Sequence, residues 1–530
     1  MEAFDRTRKV EDDLRDYLKE LQEEGKITNA IVESVWPIGS LRPRMYGLPK
    51  VHKANVPLRP ILAMIKSPQH NLAKWLNGLL APVLEKYSTY CVQDSFNFVD
   101  QIRSRNMDMA NTFWCSFDVK SLFTSIPLDE AIKICEEALF EDNAVMCGGF
   151  DRPTFVKLME TATSSVEFSF NGVMYQQTDG VAMGSPLGPT LANIFLGHYE
   201  KKILEDANAP RFYCRYVDDT FAAFDCEEEC DGFETRLNTL HPALKFTSEK
   251  ERQNKLNFLD VEVSKEDQQV STDVYRKPTF TGLSMKWSSY SPSSVKIRLI
   301  ATLVDRAVKI CSNNKLEGEL DRLRGFFQEN GFPRGIVQAT ITRKLDSLTQ
   351  DVVFGPEKRT VLVKLPYVGK PSADYGKKIA TAVARCYPSV KLTPVFTSRT
   401  VPIRPVKDAV PTLASSNVIY FYECHCGSGY VGKTTQTLLK RIEGHVPPIF
   451  RSTSGRKCKI PAKHSSAIGQ HLIENPECAR KYDDGKFSVL ARGRSDYHLA
   501  VLEAIYILSR RPILCRQKKF VLTLKLFRSC

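Results

Sequence analysis

At 530 residues, against a usual domain size of about 100–200, the chain is too long for one domain, and 42% hydrophobic with 25% charged residues excludes a disordered or collagen-like polymer. No apolar run approaches the ~20 residues of a membrane span, and Met1–Arg6 has no apolar stretch of the signal-peptide kind. A formal charge of +13 favours a polyanionic partner such as nucleic acid, and 15 cysteines scattered without a dense framework indicate reduced thiols inside the cell.

In chain order, residues 1–40 read as a charged helical segment, with Val10, Leu14, Tyr17, Leu18 and Leu21 at helical spacing, closed by Trp36-Pro37-Ile38-Gly39. Over 41–265, strand and helix patterns mix between Gly/Pro turns without a fixed repeat, which predicts an α+β body. Over 266–350 the pattern turns helical. Ile297, Ile300, Ala301, Val304, Val308 and Cys311 form one stripe, with Lys296, Arg298, Arg306 and Lys309 outside it. Residues 351–416 hold eleven basic against four acidic side chains among eight prolines, a basic connector with a folded unit at its Val361–Val395 centre. A small mixed domain over 417–515 and a tail over 516–530 complete the chain.

Arg215-Tyr216-Val217-Asp218-Asp219-Thr220-Phe221-Ala222-Ala223-Phe224 sets two acids between apolar strand-like runs, a β-hairpin with carboxylates at its turn. About 100 residues upstream, Phe113–Val119 is another strand pattern ending in an acid, Asp118. If these strands are neighbours, three carboxylates converge, and a hard divalent cation, most often Mg²⁺ in phosphoryl chemistry, relieves their repulsion. Asp-Asp alone is more often a mere turn signal. Its company raises its meaning: Gln177 opens the loop Gly180-Val181-Ala182-Met183-Gly184-Ser185-Pro186-Leu187-Gly188-Pro189, which feeds a helix with Leu191, Ile194, Phe195, His198 and Tyr199 on one face.

In that order and spacing, Asp118, the glycine loop and Tyr216-Val217-Asp218-Asp219 resemble the three catalytic motifs of reverse transcriptases. Arg44-Met45-Tyr46-Gly47-Leu48-Pro49-Lys50-Val51-His52-Lys53, Pro57-Leu58-Arg59-Pro60-Ile61, Phe117–Pro127 and Leu256-Asn257-Phe258-Leu259-Asp260-Val261 look like Penelope-like retroelement proteins, whose reverse transcriptase is similar in type to that of telomerase. The resemblance implies a multidomain α+β fold: a right-hand polymerase with fingers and palm over 41–265 and a helical thumb over 266–350. It implies two Mg²⁺ ions held by Asp118, Asp218 and Asp219, and Arg59 and Lys53 on the triphosphate of an incoming deoxynucleotide. Gln177 and Gly184 would lie along the substrate, and Phe123 would exclude a ribonucleotide 2′-hydroxyl. Surface charge is the plainer reading of Arg59 and Lys53, and core packing that of Phe123. Tyr275–Phe280, Trp287 and Tyr290 mix basic and aromatic groups suited to gripping a primer or to packing thumb on palm.

In the last domain Val418-Ile419-Tyr420 and Tyr430-Val431-Gly432 are strand-like, and Arg441 and His445 share a helical face. With Glu503, these groups supply the activator, cation and metal ligand that phosphodiester cleavage needs. The set resembles GIY-YIG endonucleases, implying an α/β nuclease domain over 417–515 with Tyr420, Tyr430, Arg441, His445 and Glu503 catalytic and one Mg²⁺ on Glu503. Two departures stand out: Asn417 replaces the first glycine, and Cys515 follows Arg511-Pro512-Ile513-Leu514 where the family carries Asn, which would weaken the site's scaffolding. Cys424, Cys426, His464 and His471 offer a tetrahedral Zn²⁺ shell like the Cys-Cys-His-His set of Penelope-like nucleases.

The reading is a retrotransposon RNA-directed DNA polymerase with a nicking endonuclease that exposes a primer, acting in the nucleus on template RNA, primer or target DNA and deoxynucleoside triphosphates, without a membrane. The rival is a catalytically idle nucleic-acid-binding remnant or domesticated protein, to which Cys515 and the short stretch of about 40 residues before the first polymerase motifs give weight.

Overall fold

The computed structural model describes residues 6–51, 55–105, 109–140, 149–164, 166–266, 268–349, 359–397, 407–451 and 461–515. Helices Thr7–Glu23 and Asn29–Val35 open it. Leu14, Leu18 and Leu21 recur one or two turns apart, so one stripe of the first helix is apolar. That stripe, with Ile27, Val32 and Val35, is buried in the largest core of the protein, the one that also holds Phe117 and Leu191. Thr28 starts the second helix by accepting the Ile31 N–H at 3.3 Å.

Two four-stranded sheets follow. Strands β1 (Arg44–Pro49) and β2 (Leu58–Ala63) form an antiparallel hairpin, and β3 (Phe113–Val119) lies in a different sheet. The strands β4 (Glu167–Phe170) and β5 (Val173–Gln176) extend the first sheet to the order β2-β1-β4-β5. With β6 (Phe212–Tyr216), β7 (Asp219–Phe224) and β8 (Phe246–Lys250), β3 completes the second, in the order β6-β7-β3-β8. This second sheet is buried on both faces, which explains its nearly continuous apolar runs. Cys115, Phe117, Ala222 and Phe224 face the large core, while Trp114, Phe221 and Ala223 face a second core shared with β9 (Lys255–Phe258), β10 (Val261–Glu266) and β11 (Gln269–Val274). Those three strands form their own antiparallel sheet.

Helices Ser293–Ile310, Asn313–Glu329 and Arg334–Thr349 pack on one another through Ile300, Val304, Leu320, Leu323, Phe327 and Ile341. Lys296, expected on the polar side, is instead buried: its ammonium donates to the Trp287 carbonyl and, at 2.8 Å, to that of Ser289, closing the loop before its helix. Strands β12 (Arg359–Pro366) and β13 (Val390–Thr397) are parallel and joined by helix Lys370–Cys386, a βαβ unit at the centre of the basic connector. The last domain is the antiparallel sheet β15-β14-β16, made of β14 (Val418–Glu423), β15 (Gly429–Thr434) and β16 (Phe487–Arg492), with helices Leu438–His445, Ala467–Glu474 and Asp496–Arg510.

This last domain touches the start of the chain. Arg8 pairs with Glu443 at 2.8 Å and Lys440 with Asp12 at 3.5 Å, joining helix Leu438–His445 to helix Thr7–Glu23. Gly39, at φ +59°, lies so close to the linker after β15 that an added Cβ would stand 2.2 Å from the Thr435 carbonyl oxygen.

Candidate active sites

The antiparallel ladder between β3 and β7 runs from Phe113↔Phe224 to Asp118↔Asp219. Directly opposed residues share a face with Cβ atoms about 4.5–5.5 Å apart, so Asp118 and Asp219 lie side by side at the end of the Trp114/Phe221 face. Asp218 joins them from the two-residue turn between β6 and β7, because the Val119 N–H donates to the Asp218 carbonyl at 3.1 Å. The structure thus brings Asp118, Asp218 and Asp219 together at one end of this sheet.

The turn is strained. Val217 has φ +58°, a left-handed conformation that a β-branched residue resists. Sequence reasoning missed what holds it. Arg215 is 0% exposed, and its guanidinium donates to the Val217 carbonyl (3.0 Å), to Asn193 Oδ1 (2.6 Å) and to Glu200 Oε1 (2.6 Å). Glu200, itself 3% exposed, also accepts the Tyr213 hydroxyl at 2.6 Å. Burial, then the neighbouring Glu200 carboxylate, pushes the Tyr213 phenol well above its ordinary range, so it remains a donor. Asn193 and Glu200 sit on helix Gly188–Leu204, which the glycine loop feeds. The only sequence signal was an arginine inside an otherwise apolar strand, where a charge demands a partner.

The glycine loop is clamped between two neighbours. Gly180 (φ +75°) has no room for a Cβ beside Thr124, and the Val181 N–H donates to the Phe123 carbonyl at 2.7 Å. At Gly184 (φ +135°) an added Cβ would stand 2.0 Å from the Leu62 carbonyl oxygen of β2, whose N–H donates to Met183 at 2.9 Å. Gly184 therefore serves backbone packing. The Phe123 ring is half-buried and lies within 3.6 Å of a Cβ built at Gly188. Gln177, expected along the substrate, donates its amide to the Asp179 and Gly180 carbonyls (3.0 and 2.9 Å), so it shapes the loop. Arg59 is exposed on β2, three residues before Leu62; Lys53 lies outside the described residues. Of the aromatic–basic segment, Phe280 stacks on Phe326 (6.0 Å), Trp287 meets Phe332 (5.2 Å) and Arg276 pairs with buried Glu319 (2.8 Å), so this segment packs the helices together.

A second polar cluster sits in the last domain. Tyr420 is 0% exposed on β14, its hydroxyl 2.6 Å from His445 Nε2 and accepting from Arg441 Nε at 3.2 Å. Its ring stacks on Tyr430, and Gly432, opposite it in register, must lack a Cβ because one would lie 2.3 Å from the hydroxyl. His445 Nδ1 is 2.5 Å from Ser466 Oγ. Burial raises the Tyr420 phenol above its ordinary range, leaving it protonated at neutral pH. Glu503, on helix Asp496–Arg510, accepts the Lys433 N–H at 3.0 Å. Cys515, expected to weaken this region, ties it instead: its sulfur lies 3.3 Å from both the N and the O of Val431, next to Tyr430.

The metal-type cluster differs from expectation in one member. Ligand atoms of Cys424, Cys426, His471 and Cys478 all lie within 4.8 Å of one another, with Cys426 Sγ 3.4 Å from His471 Nε2. His464 is not among them; its Nδ1 accepts the Ser466 N–H at 3.1 Å and its ring packs on Gly469. Cys478 takes the place because it follows His471 by seven residues, across two short helices that meet at Asn475. That spacing was visible in the sequence. Bonding to Ser428 is the first cause that draws the Cys426 thiol down to about 6, which favours the thiolate a metal requires.

Residues 21–266 match the family described as reverse transcriptase (RNA-dependent DNA polymerase), and residues 283–342 match the animal helix-turn-helix domain. No curated protein matches the chain. Similar solved structures include telomerase from Candida albicans in complex with a fragment of telomeric RNA (TM-score 0.41, 13% identity, covering 60% of this chain and 57% of that one). They also include apo telomerase from Candida tropicalis (0.37, 12%, 59% and 60%) and a Sicinivirus RNA-dependent RNA polymerase (0.35, 14%, 59% and 71%). The chain spans 57% of the length of the Candida albicans telomerase chain.

Breaking the ion pair that supports the acidic turn should be costly. Arg215→Met, which leaves the buried Glu200 charge without its cation, is expected to lose about 3–5 kcal/mol, and adding Glu200→Leu to recover part of it, since the Tyr213 hydroxyl then loses its acceptor. Urea midpoints followed by circular dichroism measure this; an unchanged midpoint in Arg215→Met would remove the pair from its supporting role.

Proposed function

We propose that this chain, which carries a reverse transcriptase domain over residues 21–266, copies RNA into DNA at the Asp118, Asp218 and Asp219 cluster. The observation that carries the reading is the register pairing of Asp118 with Asp219 beside the Asp218 turn. Three converging carboxylates fit Mg²⁺: an all-oxygen, anionic donor set is unfavourable without a hard cation among its members. Asp118, Asp218 and Asp219 would hold two such ions, which supply activation of a primer 3′-hydroxyl and neutralisation of the departing pyrophosphate. Exposed Arg59 meets the triphosphate with forked donors, together with Lys53. Phe123, pinned beside the glycine loop, presents its ring to the sugar and selects deoxynucleotides. The three-helix unit after residue 283 grips the template–primer duplex, in keeping with its helix-turn-helix match.

The finer identity we propose is a Penelope-like retroelement protein acting in the nucleus, with a GIY-YIG-type endonuclease as its last domain. The Tyr420–His445–Arg441 hydrogen bonds and Glu503 nearby support the nuclease reading. In it Arg441 faces the scissile phosphate, Tyr420 and His445 handle the proton of the attacking water, Tyr430 packs the hydroxyl in place, and Glu503 would hold one Mg²⁺. Cys424, Cys426, His471 and Cys478 form a set of three thiols and one imidazole suited to structural Zn²⁺.

Three measurements test this reading. Purified protein with Mg²⁺ should extend a DNA primer on RNA, and the pair Asp218→Ala with Asp219→Ala should reduce extension by at least about 10³-fold, the order expected for losing metal-held charge stabilisation. Synthesis at the wild-type rate in that variant would refute the site. Glu503→Ala should stop nicking of supercoiled DNA with extension intact; persistent nicking would mean that carboxylate has no role. Metal analysis should find one zinc per chain, lost in Cys478→Ser and kept in His464→Ala, and the reverse pattern would restore His464 as the ligand.

A further inference from the structure

The βαβ unit over 359–397 belongs to neither candidate active site. Its 39 residues hold seven basic side chains, all exposed, against the single acid Asp374. That net +6 is close to half of the chain's +13, concentrated in less than a tenth of its length. None of the seven forms an ion pair with another described residue.

Helix Lys370–Cys386 organises four of these charges. Its packing face is set by Ser372 and Gly376, with the Gly376 Cβ position 3.1 Å from Pro394. At 100° per residue, Lys370, Lys377, Lys378 and Arg385 fall within one arc of about 100° on the opposite side, facing solvent. The stripe runs about 22 Å along the helix, roughly the rise of six base pairs of duplex. Tyr375 (59% exposed) flanks it, and Tyr387 (63% exposed) stands just beyond its end.

A solvated helical face normally mixes both signs, as helix Thr7–Glu23 does. Here four cations repel one another, and Lys370 occupies the first turn, where the helix dipole disfavours positive charge. An arrangement that opposes local stability in two ways is explained by a polyanion that covers it. The unit is also anchored: Tyr367 and Tyr290, in the loop before the three-helix unit, bring their rings to 5.3 Å.

We propose that the Lys370, Lys377, Lys378 and Arg385 face of the βαβ unit binds the phosphate backbone of nucleic acid, as a contact separate from both active sites. It needs no catalysis, so its test is independent of the polymerase reading. Full-length protein is titrated into a labelled RNA hairpin and a labelled DNA duplex between about 50 and 200 mM salt, beside a variant with all four residues changed to Gln. Each phosphate contact contributes about 0.9 to the slope of log affinity against log salt on duplex DNA and about 0.7 on single strands. The slope in the variant should therefore become shallower by roughly 3 in at least one arm, and that arm identifies the nucleic acid held. Gln at Lys133 and Lys201, exposed on other helices, should leave the slope nearly unchanged. Equal slopes for wild type and the four-residue variant in both arms would overturn the proposal, as would an equal effect from the control pair. Loss of polyglutamate binding with nucleic-acid binding intact would also overturn it and assign the face to an acidic protein.

Discussion

The pairing of β3 with β7 is the constraint on which the first site depends. A ladder shifted by one residue would move every side chain of the slipping strand to its other face; for β3 that takes Trp114 out of one core and Phe117 out of the other. The sheet is buried on both sides, so such a slip has no tolerable outcome, and the acids inherit this precision without contributing to it. Their mutual repulsion is held in check by apolar packing at the far end of the same strands. The Arg215–Glu200 pair adds the local part. It fixes a β-branched residue in a conformation that the backbone alone disfavours, and it links the acidic turn to the helix behind the glycine loop.

The helical stripe of 293–310, the acid hairpin and the shared helical face of Arg441 and His445 were legible because each rests on periodicity or on local turn chemistry. The Ile300 and Val304 spacing specifies a buried face whatever lies opposite it. What was not legible depended on contacts distant in sequence. Nothing near Gly184 says that the Leu62 carbonyl fills the space of its missing side chain. Nothing near Lys296 says that two carbonyls from the preceding loop capture its ammonium. The resemblance sets Gln177 along the substrate, and nothing near it in sequence says that its amide donates to the Asp179 and Gly180 carbonyls of its own loop. The zinc-type cluster was three-quarters legible. Cysteines separated by one residue are a plain signal, but Cys478 went unconsidered, and only the fold shows that His464 turns back on Ser466.

Cys515 shows how a thiol can hold a strand edge. A thiol is a weaker partner than an amide, but Val431 offers both its N–H and its carbonyl, and the sulfur lies within reach of both. The strand edge beside Tyr430 is therefore tied down.

Helix Leu438–His445 has two occupied sides. One turns Arg441 and His445 toward Tyr420; the other offers Lys440 and Glu443 to Asp12 and Arg8, near the place where Gly39 admits no side chain. The Tyr420 cluster and the first helix, itself part of the core that holds Phe117, are thereby mounted on a common bracket. A shift of that helix would strain its ion pairs to the first helix and its hydrogen bonds to Tyr420 together, so the environment of the buried phenol answers to where the opening helix sits.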